Sequence, residues 1–256
     1  MKYINLFIKV IKIIIGSCSN FFSSAEVFYI SDRSDWVIRD IGNELASHLT
    51  TCNFKITNEY FGIRNSIVHY GSITSFLLSN RVKRAHKSNK IIVTWFHVLD
   101  NDPRSNLLYK AISFVDVWHT ASLLSKNKMI KLGIPSEKII VIPLGIDLKK
   151  FFPLDSKNKK INRKKLDIPE DSIVIGSFQK DGNGWDQGLE PKLIKGPDIF
   201  CDIIEMLAKQ YNIFVLLTGP SRGYVKNRLK NAGIKYRHDL LSKASSVANY
   251  FQVIDL

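Results

Sequence analysis

Apolar runs and polar breaks alternate along this chain in the rhythm of strands and helices taken in turn. Residues 25–31, AEVFYIS, form a short β-branched and aromatic run that predicts a strand. Beyond a polar turn, Trp36, Val37, Ile41, Leu45 and Leu49 recur at helical spacing, and Asp35 stands where a helix cap belongs. Further strands are predicted at 66–72 (SIVHYGS), 89–98 (NKIIVTWFHV), 114–122 (FVDVWHTAS) and 137–143 (EKIIVIP), with a helix ending at Gly133 between the last two. After a polar, lysine-rich stretch the alternation restarts. Strands fall at 172–178 (SIVIGSF), 212–219 (NIFVLLTG) and 234–238 (IKYRH), and helices start at Pro197 and run through YVKNRLKNAG and SVANYF. QVIDL, residues 252–256, reads as the opening of another strand. Strands joined by helices make parallel sheets economical, so the pattern predicts an α/β chain of two Rossmann-like domains. The second is expected to be incomplete, since the chain stops as a strand begins, leaving Ile203, Leu207, Leu216 and Val247 short of apolar partners.

Residues 1–22 follow a different period. Lys2, Asn5, Lys9, Lys12 and Gly16 share one helix face, and Ile4, Phe7, Ile8, Ile11 and Ile15 share the other. A transmembrane helix would be interrupted by Lys9 and Lys12. A lipoprotein signal is written in Ile15-Gly16-Ser17-Cys18, but the same lysines count against it. The spacing fits best a basic amphipathic helix, either lying on an anionic membrane surface or packed on the protein's own body. The domains expected are then 25–153, a basic linker at 154–171, and 172–256. In KIIVIPLGIDLKKFFP, residues 138–153, Pro143 and Gly145 end a strand and turn the chain. Gly145, Asp147 and Phe151 mark a predicted hinge, with Phe151 and Phe152 expected where the domains meet.

The 256 residues suit one large domain or two moderate ones, and a 45% hydrophobic content excludes global disorder. Lys and Arg total 37 against 23 Asp and Glu, a formal charge of +14. Such an excess draws anionic partners: nucleic acid, acidic lipid or phosphorylated metabolites. A lysine-rich solvated surface would give the same count. Cys18, Cys52 and Cys201 are too few and too widely spaced for a disulfide framework or a structural zinc site, and they fit a reducing cytoplasm.

Ligands of open α/β sheets bind beyond the carboxyl ends of the strands. At the first such end, TWFHVLDNDP, His97 could hydrogen-bond a sugar hydroxyl or move a proton, or be tied to backbone. Asp100-Asn101-Asp102 has the D-x-D form of a metal–diphosphate site, but Pro103 follows at once and an ordinary turn explains it better. The second is the glycine-rich 176–200. It is neither a dinucleotide fingerprint nor a P-loop. Lys180 follows the strand, and Lys195 precedes Gly196-Pro197, the start of a helix; lysines beside a helix N-terminus suit a diphosphate. A flexible loop with solvated lysines is the plainer alternative. At the third, LLTGPSRGY, Gly219 ends a strand and Arg222 and Tyr224 could meet a phosphate or base, though a tight turn explains the glycines equally well.

At these residues the chain resembles a known family, the group 1 retaining glycosyltransferases of the GT-B fold. VWHTASLLSKNKMIKLGIPSEKIIVIPLGIDLKKFFP looks like the family's hinge-proximal signature. GSFQKDGNGWDQGLEPKLIKGPDIF and VLLTGPSRGYV look like donor-domain segments of a bacterial subgroup that makes surface polysaccharide. WFHVLDND is similar to the histidine motif, with Val98 where glycine is usual. The resemblance covers roughly residues 25–256. It implies two Rossmann-like domains facing across a cleft, a nucleotide-diphosphate sugar donor on the second, and a glycan or lipid-linked acceptor on the first. It implies that Lys180 and Lys195 neutralise the donor diphosphate, that Gly219 and Arg222 belong to the donor site, and that His97 contacts the transferred sugar. It implies retention of configuration, and neither a metal nor a cofactor. Lys180 stands where many relatives have arginine, which keeps charge but loses the fork. The family's paired glutamates would fall beyond Leu256.

Two other functions stay open on sequence grounds. One is a catalytically incomplete fragment that binds nucleotide or membrane without transferring sugar. The other is a nucleic-acid-binding protein, which charge alone favours; no zinc finger, RRM signature or aromatic-laced basic stripe accompanies it. The place expected is the cytoplasm, at the inner face of the membrane if residues 1–22 bind there.

Overall fold

Strands form where β-branched residues cluster, and in this chain they form two parallel sheets. The computed structural model describes residues 2–32, 37–100, 102–241 and 244–256. It divides into two compact units, Met1–Leu144 and Gly145–Leu256. Asp35, Trp36 and Asn101 lie outside the described residues.

In the first unit a helix, α1 (Lys2–Phe21), precedes strand β1 (Val27–Ile30), helix α2 (Val37–His48), β2 (Phe54–Thr57) and β3 (Ile67–Tyr70). A short α3 (Ile73–Phe76), β4 (Lys90–Thr94), α4 (Leu108–Ala111), β5 (Val117–Thr120), α5 (Leu123–Lys131) and β6 (Ile139–Val141) complete it. All six strands are parallel, in the order β2-β1-β3-β4-β5-β6. One core cluster holds Val68, Tyr70, Val93, Trp95, Trp118 and Met129, all fully buried. β2 has no counterpart among the predicted strands: it is a four-residue edge strand whose residues are all half-buried, so neither a fully apolar run nor a clean alternation marks it.

The second unit holds α6 (Ser156–Lys165), β7 (Ile173–Phe178), α7 (Pro197–Leu207), β8 (Ile213–Thr218), α8 (Gly223–Asn231), β9 (Lys235–Asp239) and α9 (Ala248–Phe251). Its sheet runs β7-β8-β9, again parallel. β8 is buried throughout and serves two cores by its period of two. Val215 and Leu217 join Cys201 and Ile204 of α7 and Val225 and Leu229 of α8. Phe214 and Leu216 face the other way, onto Ile168, Val174 and Val253.

The basic tract at 154–171 is not simply a linker. It carries α6, capped by Asp155, whose carboxylate accepts from the Asn158 N–H at 2.8 Å. Lys159 and Arg163 reach Asp255 at 2.9 and 2.7 Å. The tract has almost no apolar period, so only these tertiary bonds reveal the helix. Residues 252–256, expected to open a strand, turn out of α9 and meet the backbone of β7 through Asp255 and Leu256. The Leu216 side chain, expected to lack partners, is fully buried, whereas Ile203 is exposed. Phe151, expected at the meeting of domains, packs edge-on against Phe251 of its own unit, with centroids 5.7 Å apart. Asp147 closes a turn by accepting from the Lys149 N–H at 2.9 Å and pairing with Lys150, and Gly145 is exposed with open space where a side chain would stand.

Candidate functional site

β7 stands at the end of the second sheet's strand order, β7-β8-β9. β8 lies on one edge. On the other, Asp255 N–H donates to Val174 O at 2.8 Å, and Gly176 N–H donates to Leu256 O at 2.9 Å. Ligands of open α/β sheets collect beyond the carboxyl ends of the strands. Here the end of β7 is occupied by the loop 179–196, which carries Lys180 and Lys195.

The loop is held from beneath. Arg222, expected to meet a phosphate, is instead inside the fold at 1% exposure. Its guanidinium donates to Ser177 O, Gln179 O and Thr218 O at 2.8, 2.6 and 3.1 Å and to Ser177 Oγ at 2.8 Å, tying the ends of β7 and β8 together. Asp181, which the sequence reading passed over, lies 3.1 Å from it and is equally buried. Burial pushes the Asp181 carboxyl above its ordinary pKa, and the Arg222 charge opposes that rise. The cause of the misplacement is local: the chain after Gly219 turns back, and the long arginine reaches under the strands rather than out.

Glycines let the loop close on this frame. Gly188 has φ of 70°, and a Cβ there would lie 2.1 Å from Ser221 O. Gly219, with φ of 88°, turns the chain out of β8, and a Cβ on it would lie 2.9 Å from Gln179 O. This is a packing role for a residue expected at the donor site.

Two helices begin near this end, and their starts differ. At α8, Gly223 and Tyr224 N–H donate to Gln187 O and Gly188 O at 2.7 and 2.8 Å, so the loop itself occupies that N-terminus. At α7, Pro197 has no N–H to satisfy, and no acceptor among the described residues bonds the N–H of Asp198 or Ile199. Lys195, exposed, stands two residues before α7, and its carbonyl accepts from Gln179 Nε2 at 3.2 Å. That bond ties the end of β7 to the start of α7. Lys180 lies folded back, its ammonium 4.7 Å from the Trp185 ring centroid and 3.1 Å from Gly182 O. Both lysines thus flank one end of one strand, beside a helix terminus with unspent donors. Such an arrangement can hold an anion.

At the carboxyl edge of the first sheet the acidic groups after β4 are already paired. His97 is exposed beyond β4, and its carbonyl accepts from the Trp95 indole at 2.9 Å while Ser125 Oγ donates to Phe96 O at 3.1 Å. Asp100 pairs with Lys128 at 2.9 Å. Asp102 is buried, caps the Arg104 N–H at 3.0 Å and holds the Arg104 guanidinium, so its carboxylate serves the turn. A hydrogen-bonded chain unmarked by the sequence crosses the sheet. His69 Nε2, Thr94 Oγ1, His119 Nδ1, His119 Nε2 and Ile142 O follow at 2.8, 3.0 and 3.0 Å. The Ile142 carbonyl must accept, so His119 Nε2 carries a proton; with Nδ1 as acceptor, Thr94 donates to it and His69 donates to Thr94. Burial, and then the neighbouring His119, push the His69 pKa down to about 4.

No protein-family model and no curated protein matches the sequence. Solved structures do. HepE from Anabaena, solved with UDP and glucose, is similar over 91% of this chain and 73% of its own, at 12% identity and a TM-score of 0.59. Its structure with UDP-glucose gives 90% and 72%, at 12% identity and a TM-score of 0.63. A glycosyltransferase from Rickettsia africae is similar over 88% of this chain and 56% of its own, at 17% identity and a TM-score of 0.51. The chain has the GT-B type of α/β fold. At these identities the likeness is one of fold. The GT-B reading fits the two parallel sheets and the strand order, and it leaves chemistry to the residues themselves.

Proposed function

We propose that this protein transfers a hexose from a nucleotide-diphosphate sugar to a glycan or lipid-linked acceptor, with retention of configuration, in the synthesis of cell-surface polysaccharide. The observation that carries the reading is the open start of α7 beside exposed Lys195, at the carboxyl end of β7. HepE, similar in fold, was solved with UDP and with UDP-glucose, which supports a ligand of that class.

Lys195 and the α7 N–H groups hold the diphosphate and stabilise the charge that grows on it as the sugar leaves. Lys180 swings from Trp185 to add a second cation. Arg222 and Asp181 touch no ligand; they fix the loop that presents both lysines. His97 meets the transferred sugar. Gly145, Asp147 and Phe151 form the hinge. The protein works at the inner face of a membrane, held by α1. The test is transfer by the full chain from a panel of nucleotide-diphosphate sugars, with the product anomer read by NMR. Transfer with retention is expected. Saturable UDP binding without any transfer would leave a nucleotide-binding protein in place of the enzyme.

A further inference from the structure

α1 is docked the wrong way round for a helix in water. Its last turns touch the body through small and polar residues. Asn20, buried, donates to the Glu59 and Phe61 carbonyls at 2.7 and 3.1 Å, and Gly62 lies so close under Ser17 O that no side chain fits there. The opposite arc carries Phe7, Ile8, Ile11, Ile14 and Ile15, all exposed, followed by Phe21 and Phe22 at 63% and 83% exposure. A soluble protein's amphipathic helix buries such a stripe. Among the described residues no helix is long and apolar enough to cross a membrane.

Gly62 also lines a cavity of about 430 Å³, together with Arg64, Arg84 and Lys87. Arg84 continues into a second cavity of about 590 Å³, shared with Arg81 and Lys110. Its guanidinium lies 3.5 Å from the Phe114 ring centroid, which holds the fork in place. None of these five cations has a carboxylate partner among the described residues. Slight desolvation, and then the charges of Arg64 and Lys87, lower the His86 pKa beside them. Both cavities lie off the carboxyl edge of the sheet: their walls include segments that lead into β3, β4 and β5.

We infer that the exposed arc of α1 and the cavities joined at Arg84 form one membrane-docking surface, in which Arg81, Arg84 and Lys110 take the phosphate of an anionic lipid headgroup. The inference rests on the membrane part of the proposed function and is independent of sugar transfer. The arc supplies apolar insertion and the cations supply the second signal that stable membrane binding needs. The arginine forks match phosphate oxygens two at a time. A second copy of the chain would cover the arc but would bring the same positive charge to the cavities.

The experiment is sedimentation of the full chain with vesicles of phosphatidylcholine, alone or mixed with phosphatidylglycerol, at low salt. Binding to the mixed vesicles only is expected. Arg81→Gln, Arg84→Gln and Lys110→Gln together should weaken it by roughly a hundredfold, about fivefold per charge. Ile11→Ser with Ile15→Ser should abolish it. Thermal melting checks folding, and Arg81→Gln with Lys110→Gln offers a second variant, expected to weaken binding about twenty-fivefold, should Arg84 matter to the fold. Wild-type chain that ignores anionic vesicles, or that instead forms a dimer broken by Ile11→Ser, overturns the surface. Binding equal in wild type and in the folded triple variant overturns the headgroup site alone. Displacement by millimolar inorganic phosphate would make free phosphate the ligand and overturn the lipid assignment. UDP calorimetry on the same samples reports separately on the donor site.

Discussion

The carboxyl edges of the two sheets use their polar groups differently. In the first unit, a hydrogen-bonded chain crosses the sheet as His69, Thr94 and His119, each donating to the next and the last to a carbonyl. In the second, charge is used twice: Asp181 and Arg222 are paired inside, while Lys195 is left toward solvent beside a helix start and Lys180 folds against Trp185. The difference teaches which charges build and which bind. A charge that has been desolvated and given four protein acceptors, as Arg222 has, is committed to structure. An exposed lysine next to unbonded N–H groups keeps its capacity for a ligand.

The comparison breaks most severely at Arg222. Arg222→Ala leaves Asp181 buried without its partner and three carbonyls without a donor, and should cost about 3–5 kcal/mol of the second unit's stability, read by urea unfolding. Lys195→Ala should change stability by no more than about 0.5 kcal/mol. Equal effects from the two would erase the distinction between building and binding charges.

The first unit should respond to acid. His69 has a pKa near 6.5 when unfolded and about 4 when folded, so the folded state binds fewer protons in between. Its contribution is whole above about 6.5 and is lost as pH falls through about 4, on the order of 3 kcal/mol. His69→Gln should flatten that dependence in a series of unfolding curves; an unchanged acid slope would mean that His69 is not held neutral. A smaller effect, about 1–3 kcal/mol, is expected of Gly188→Ala, which forces a side chain into positive φ against Ser221. A melting temperature equal to wild type would show that the loop is not fixed there.

The order of elements could be read from the chain because buried strands such as IVIGSF and IFVLLT declare themselves by composition, and because Pro197 after Gly196 announces a helix. α6 and β2 escaped for the same reason: neither has an apolar period, and each exists by tertiary contact. At the site, the positions of Lys180 and Lys195 beside a strand end and a helix start followed from spacing alone. The direction of the Arg222 side chain did not, since it depends on where three carbonyls from two strands converge. Nor did the His69–Thr94–His119 chain, whose members come from three strands and are brought together by register.

The central claim is that the start of α7 with Lys195 receives a nucleotide diphosphate. Titration calorimetry of UDP into wild type and Lys195→Ala tests it most directly. Saturable binding to the wild type, weakened by about 1–3 kcal/mol in the variant with its unfolding curve unchanged, is the predicted result. Equal affinity in both proteins, or no binding to the wild type, would contradict it.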